Sequence, residues 1–183
     1  MVLAVGGERL RQPGDGLEDL AQRPGMRQVG PFACGDLVAV FINDGTGKFG
    51  KPTRYRVDGF PMQVTIADLR NDGRQDLVVA DIASGLDIWL NKGDGTFGSV
   101  NIYYPGCESC QPPEACTVAD FNLDGKLDVA CATQNFQSYY FYGNGRGKVS
   151  YVGPLNDDID GDGGFSIVAG DFNNDGAPTW RFP

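Results

Sequence analysis

From Leu37 onward the chain alternates short apolar runs with stretches rich in Gly, Asp and Asn. Leu37-Val-Ala-Val-Phe-Ile42, Leu86-Asp-Ile-Trp-Leu90 and Tyr139-Tyr-Phe-Tyr142 each run into a glycine-rich segment. Val64-Thr-Ile-Ala67, Cys116-Thr-Val-Ala119 and Phe165-Ser-Ile-Val168 each run into an acidic one. Leu77-Val-Val-Ala80 and Val129-Ala-Cys-Ala132 follow two of those acidic segments. Runs this short, rich in β-branched and aromatic side chains and bounded by turn residues, read as strands. The 27 glycines argue in the same direction, for many turns rather than for helices.

The punctuation is periodic. Asn43-Asp-Gly-Thr-Gly-Lys-Phe49 returns as Asn91-Lys-Gly-Asp-Gly-Thr-Phe97 and, degraded, as Gly143-Asn-Gly-Arg-Gly-Lys-Val149. Each is a hairpin turn whose glycines supply positive φ. The acidic segments begin at Asp68, Asp120 and Asp171, spaced 52 and 51 residues apart. One period therefore reads strand, acidic loop, strand, connection, strand, glycine hairpin, strand. Four short antiparallel strands in about 50 residues make one propeller blade. The fold class is all-β, with about three such blades belonging to a larger propeller or an assembly.

The central acidic loop, Asp120-Phe-Asn-Leu-Asp-Gly-Lys-Leu-Asp128, places side-chain oxygens at its positions one, three, five and nine. These are Asp120, Asn122, Asp124 and Asp128. Gly125 stands at position six, where a loop folding around an ion turns sharply, and the carbonyl of Lys126 follows at seven. A hard cation such as Ca²⁺ takes six to eight oxygen ligands at about 2.3–2.6 Å, and a loop of this kind can supply them. An EF-hand would need a Glu at position twelve and a following helix, whereas Asp128 leads into a strand. A single stretch like this reads by default as a solvated acidic turn, but this one repeats. By the same spacing Asp68, Asp72 and Asp76, with the carbonyl of Arg74, form a second candidate set. Asp171, Asn173 and Asp175, with the carbonyl of Ala177, form a third. Arg70 stands at position three of the first loop, where its guanidinium could neutralise Asp68, Asp72 and Asp76 and displace an ion. Thr179 removes the closing carboxylate from the third. Asp158-Ile-Asp-Gly-Asp-Gly163 is out of phase with the repeat and reads as a solvated turn.

Acidic loops of this form alternating with the glycine hairpin resemble the FG-GAP/VCBS repeats of integrin α-subunit-like β-propellers. Phe49-Gly50 and Phe97-Gly98 stand where that family has its Phe-Gly pair. The resemblance covers roughly residues 37–178. It implies Ca²⁺ held in inter-strand loops of an extracellular or cell-surface propeller that binds a protein or glycan ligand. Some enzymes carry the same repeats, so the fold alone does not decide activity.

Composition narrows the alternatives. A net charge of −9 argues against nucleic acid or an anionic membrane as partner, and much of it falls in the acidic loops. No apolar run approaches the roughly 18 residues of a membrane-spanning helix. With no His, the usual general base and the Ser-His-Asp triad are missing. A glycosidase would need two carboxylates facing across a cleft, and the well-placed ones belong to the loops. Tyr103, Tyr104 and Tyr139 to Tyr142 could form a carbohydrate platform, but packing between sheets is the favoured reading. Cys107, Cys110, Cys116 and Cys131 could bind zinc. Cys116 falls on an apolar strand position and Cys131 in a buried strand, so the favoured expectation is a disulfide among Cys107, Cys110 and Cys116, with free thiols elsewhere. Cys34 has no evident partner. Residues 1–35 read as an irregular segment with a possible edge strand and a short helix near 17–22, and 36–183 as the blades. The chain starts and stops at the same phase of the repeat, so open blade edges are expected to drive self-association. The leading functional expectation is a non-catalytic, calcium-binding adhesion or ligand-binding module. A self-assembling repeat unit stands second and a polysaccharide-acting enzyme third.

Overall fold

The computed structural model of the chain describes residues 2–6, 37–57, 59–106, 111–133, 138–155 and 166–181, with only the backbone at 2–6 and 180–181. The expected helix near 17–22, the acidic stretch 158–163 and Cys34, Cys107 and Cys110 lie outside them. The described elements are all strands. They are β1 (Val2–Gly6), β2 (Leu37–Ile42), β3 (Thr53–Arg56), β4 (Pro61–Ala67), β5 (Asp76–Asp81), β6 (Gly85–Asn91) and β7 (Phe97–Tyr103). Then come β8 (Ala115–Ala119), β9 (Asp128–Ala132), β10 (Tyr139–Gly143), β11 (Val149–Pro154), β12 (Val168–Gly170) and β13 (Thr179–Arg181).

Two complete four-stranded antiparallel sheets, β4-β5-β6-β7 and β8-β9-β10-β11, follow the periods read from the sequence. They are flanked by β1-β2-β3 and by the pair β12-β13. β1 pairs with β2 as β5 pairs with β6, so β1 occupies the place of a strand that follows an acidic loop. Within each complete sheet the acidic loop joins the first two strands and the glycine hairpin the last two. Antiparallel succession therefore brings both turns to one end of the blade.

The sheets stack through their faces. In β5, Leu77 and Val79 join Val38, Val40, Trp89 and Phe97 in a core shared with β2. Their neighbours Val78 and Ala80 face the other way, into a core with Val129, Cys131, Tyr139 and Phe141 of the next sheet. Both faces of β5 are covered, so it reads as a continuous apolar run rather than as an alternation. The dense tyrosines divide accordingly. Tyr139 and Phe141 are buried and meet Tyr151 edge-on, while Tyr104 and Tyr142 are exposed.

The structure corrects the expected pairing for Cys116, while a pairing of Cys107 with Cys110 lies outside the described residues. Cys116 of β8 and Cys131 of β9 are direct cross-strand partners and form a disulfide, with Cα atoms 4.1 Å apart. The bridge consumes two of the four thiols a zinc site would need. Its place in the preceding blade is held by the apolar cross-strand pair Val64 and Val79. The disulfide thus replaces packing between two strands rather than stapling the connection that carries Cys107 and Cys110.

Candidate metal centre

The three acidic loops are built alike, and the first carboxylate of each organises its turn. Asp68 accepts the N–H groups of Asp72 and Gly73 at 3.1 and 2.7 Å. Asp120 accepts those of Asp124 and Gly125 at 3.0 and 2.8 Å, and Asp171 those of Asp175 and Gly176 at 3.2 and 2.9 Å. To aim these N–H groups inward, position four turns left-handed at Asn71, Leu123 and Asn174, with φ of 53, 59 and 58°. Position six does so as well, and Gly125, at φ 82°, meets that demand without a side-chain penalty.

The position-five carboxylates are solvent-exposed and capped. Asp72, Asp124 and Asp175 each accept the N–H two residues on, from Arg74, Lys126 and Ala177. The second oxygen of Asp124 lies 2.8 Å from Lys126 Nζ. The hydrogen bond from that ammonium is the largest influence holding the Asp124 carboxyl below its ordinary pKa. Asn173 Nδ2 donates to Asp175 Oδ2 at 2.7 Å. Sequence spacing nominated Arg74, Lys126 and Ala177 for their carbonyls. The structure additionally gives their N–H groups, and the Arg74 and Lys126 side chains, a part in balancing loop charge.

Position nine is different. Asp76 and Asp128 are completely buried at the head of β5 and β9. Asp128 accepts the Gly143 N–H at 2.8 Å through Oδ1 and the Phe121 N–H at 3.0 Å through Oδ2. Asp76 accepts the Asn91 N–H at 2.8 Å. Gly143 and Asn91 end β10 and β6, so each carboxylate ties its acidic loop to the strand that feeds the glycine hairpin. Burial pushes the Asp128 carboxyl above its ordinary pKa, partly offset by those two donors. Thr179, in the same place in the third loop, instead donates to the Gly170 carbonyl at 3.2 Å.

Residues 14–79, 68–131 and 120–178 each match the FG-GAP-like repeat. The second and third matches begin at Asp68 and Asp120, the first residues of two acidic loops. The chain belongs to the FG-GAP-like repeat family. No curated protein matches it. FG-GAP-like repeats form propellers, and the two complete four-stranded sheets with their flanking partners are consistent with about three blades.

The donor set of the central FG-GAP loop suits a hard cation. Asp120, Asn122, Asp124 and Asp128 place three carboxylates and a carboxamide along one loop, where Lys126 Nζ pairs with Asp124. Asp128 adds a carboxylate that burial makes costly to keep charged without compensation. In the third loop Asp171, Asn173 and Asp175 keep the same turn without the closing acid. In the first, Arg70 intrudes. Its Nη2 lies 2.8 Å and its Nε 3.2 Å from the two oxygens of Asp76, and its Nη1 lies 3.2 Å from Asp72 Oδ2. The sequence indicated that charge, although not its direct reach to the Asn91 carbonyl at 2.7 Å. Among the described residues, three or more acidic side chains do not converge on a common point.

Proposed function

We propose that the chain is a calcium-stabilised propeller module of an extracellular or cell-surface protein, used for adhesion or for binding a protein or glycan ligand without catalysis. One observation carries the calcium part. The central loop closes on Asp128, a fully buried carboxylate, while Asp120 and Asp124 stand on the same turn with one lysine to offset three charges. Asp120, Asn122, Asp124, Asp128 and the Lys126 carbonyl would hold the ion. When bound, it supplies the missing positive charge at the junction of β8 and β9. The protein's own contribution is the turn itself, held by the Asp120 hydrogen bonds and the left-handed backbone at Leu123 and Gly125.

Two features support the remainder. The Cys116–Cys131 disulfide fits an oxidising compartment outside the cytosol. Membership of a propeller-forming repeat family fits a recognition scaffold, since the carboxylates of the acidic loops are engaged by backbone N–H groups of the blades themselves. Calcium binding is tested by melting the full chain with millimolar Ca²⁺ and with chelator. Ca²⁺ at about 1 mM should raise stability by about 0.4–1.4 kcal/mol, the mass-action gain for a site of extracellular affinity. Asp124→Ala should abolish most of that gain. An equal gain in the variant and the parent would remove the central loop as the site.

A further inference from the structure

The first acidic loop has the turn of the other two but a different charge balance. Asp68, Asp72 and Asp76 face two arginines, Arg70 and Arg74, giving the loop a net charge of −1. The central loop sets three carboxylates against Lys126, for −2, and the third sets Asp171 and Asp175 against no cation, also −2. A divalent ion would neutralise the second and third loops and leave the first with an excess of positive charge.

The geometry matches that arithmetic. Arg70 occupies position three, where the central loop has Asn122. Asn122 Oδ1 accepts the Asp124 N–H at 3.0 Å, so the carboxamide stays within its own turn. The Arg70 guanidinium instead crosses the loop. It forks onto both oxygens of the buried Asp76, reaches Asp72 Oδ2, and donates to the Asn91 carbonyl at the end of β6. Arg74 Nε adds a second contact to Asp72 Oδ2 at 3.3 Å. A planar fork with five fixed donors can satisfy two carboxylates and a carbonyl together, which an ammonium cannot do.

Resting on the calcium reading of the central loop, we infer that Arg70 is a built-in replacement for the cation in the first loop. The β4–β7 blade is therefore braced without calcium, while the β8–β11 blade depends on it. The guanidinium links the head of β5, the loop and the end of β6. A bound ion cannot join Asp72 and Asp76 while Arg70 holds them.

Native mass spectrometry of the full chain in Ca²⁺ tests this by counting bound ions. Asp72→Asn, which removes a ligand from the first loop, should leave the count unchanged. Arg70→Asn, which gives the first loop the position-three residue of the central one, should bind one ion more than the parent. Loss of an ion in Asp72→Asn, or no gain in a folded Arg70→Asn, would overturn the inference. If Arg70→Asn does not fold, the Asp72→Asn count decides. Asp124→Ala, measured alongside, identifies a failure of the underlying reading. A count equal to the parent's there means that the central loop does not bind calcium, whatever the first loop does.

Discussion

At Leu123 local backbone chemistry and side-chain identity disagree. The turn needs position four in the left-handed region, and the two sister loops meet this with Asn71 and Asn174. Leu123 adopts φ 59° with an apolar side chain 62% exposed. A left-handed residue with an ordinary Cβ costs about 1–2 kcal/mol, and Asn lowers that cost by hydrogen bonding locally. Leu123→Asn should therefore stabilise the protein by about 0.5–1 kcal/mol in chemical denaturation, with chelator as well as with Ca²⁺. A destabilised variant would show that Leu123 is held by contacts rather than tolerated.

Within a blade, the position-nine aspartates fasten one turn to another. Asp128 spends both oxygens on backbone donors, Phe121 in its own loop and Gly143 at the end of β10. Asparagine keeps the shape but has one acceptor, and its amide would meet a donor. Asp128→Asn should then cost about 1–3 kcal/mol, the penalty for a buried hydrogen-bonding group left without its partner. The loss should persist in chelator, which separates this structural role from metal ligation. If the variant melts like the parent once Ca²⁺ is removed, the carboxylate's role is confined to the ion.

On the scale of the whole molecule, the blades are joined by side chains that belong to two sheets at once. Phe141 of β10 is buried and meets Tyr139, Tyr151 and, across the blade boundary, Tyr103. Phe141→Ala should cost about 3–5 kcal/mol, combining lost transfer energy with the cavity left behind. Because that cavity would lie between blades, amides of β5 and β9 should exchange faster together. Faster exchange confined to β8, β9, β10 and β11 would mean that the sheets unfold independently.

Strands, acidic loops and their period were legible in the sequence because each signal is local. The oxygens of residues 120–128 lie two or four positions apart, and glycines mark where φ must turn positive. The cysteine bridge was not read, although Val64 and Val79, 52 residues earlier, form the same cross-strand pair. Reading it required the strand register, which the turn sets and the sequence does not spell out. Likewise the pleat of β5 turns Val78 and Val79 to opposite faces, but only the stacking of sheets supplies the core that each of them enters. The position-nine carboxylates were legible as acids but not as ties between turns. Asp128 and Gly143 are 15 residues apart and meet because β9 and β10 run antiparallel. Composition and spacing determined which chemistry each turn carries. The tertiary structure decided which partner each carboxylate holds, because burial and cross-strand pairing join groups the chain keeps apart.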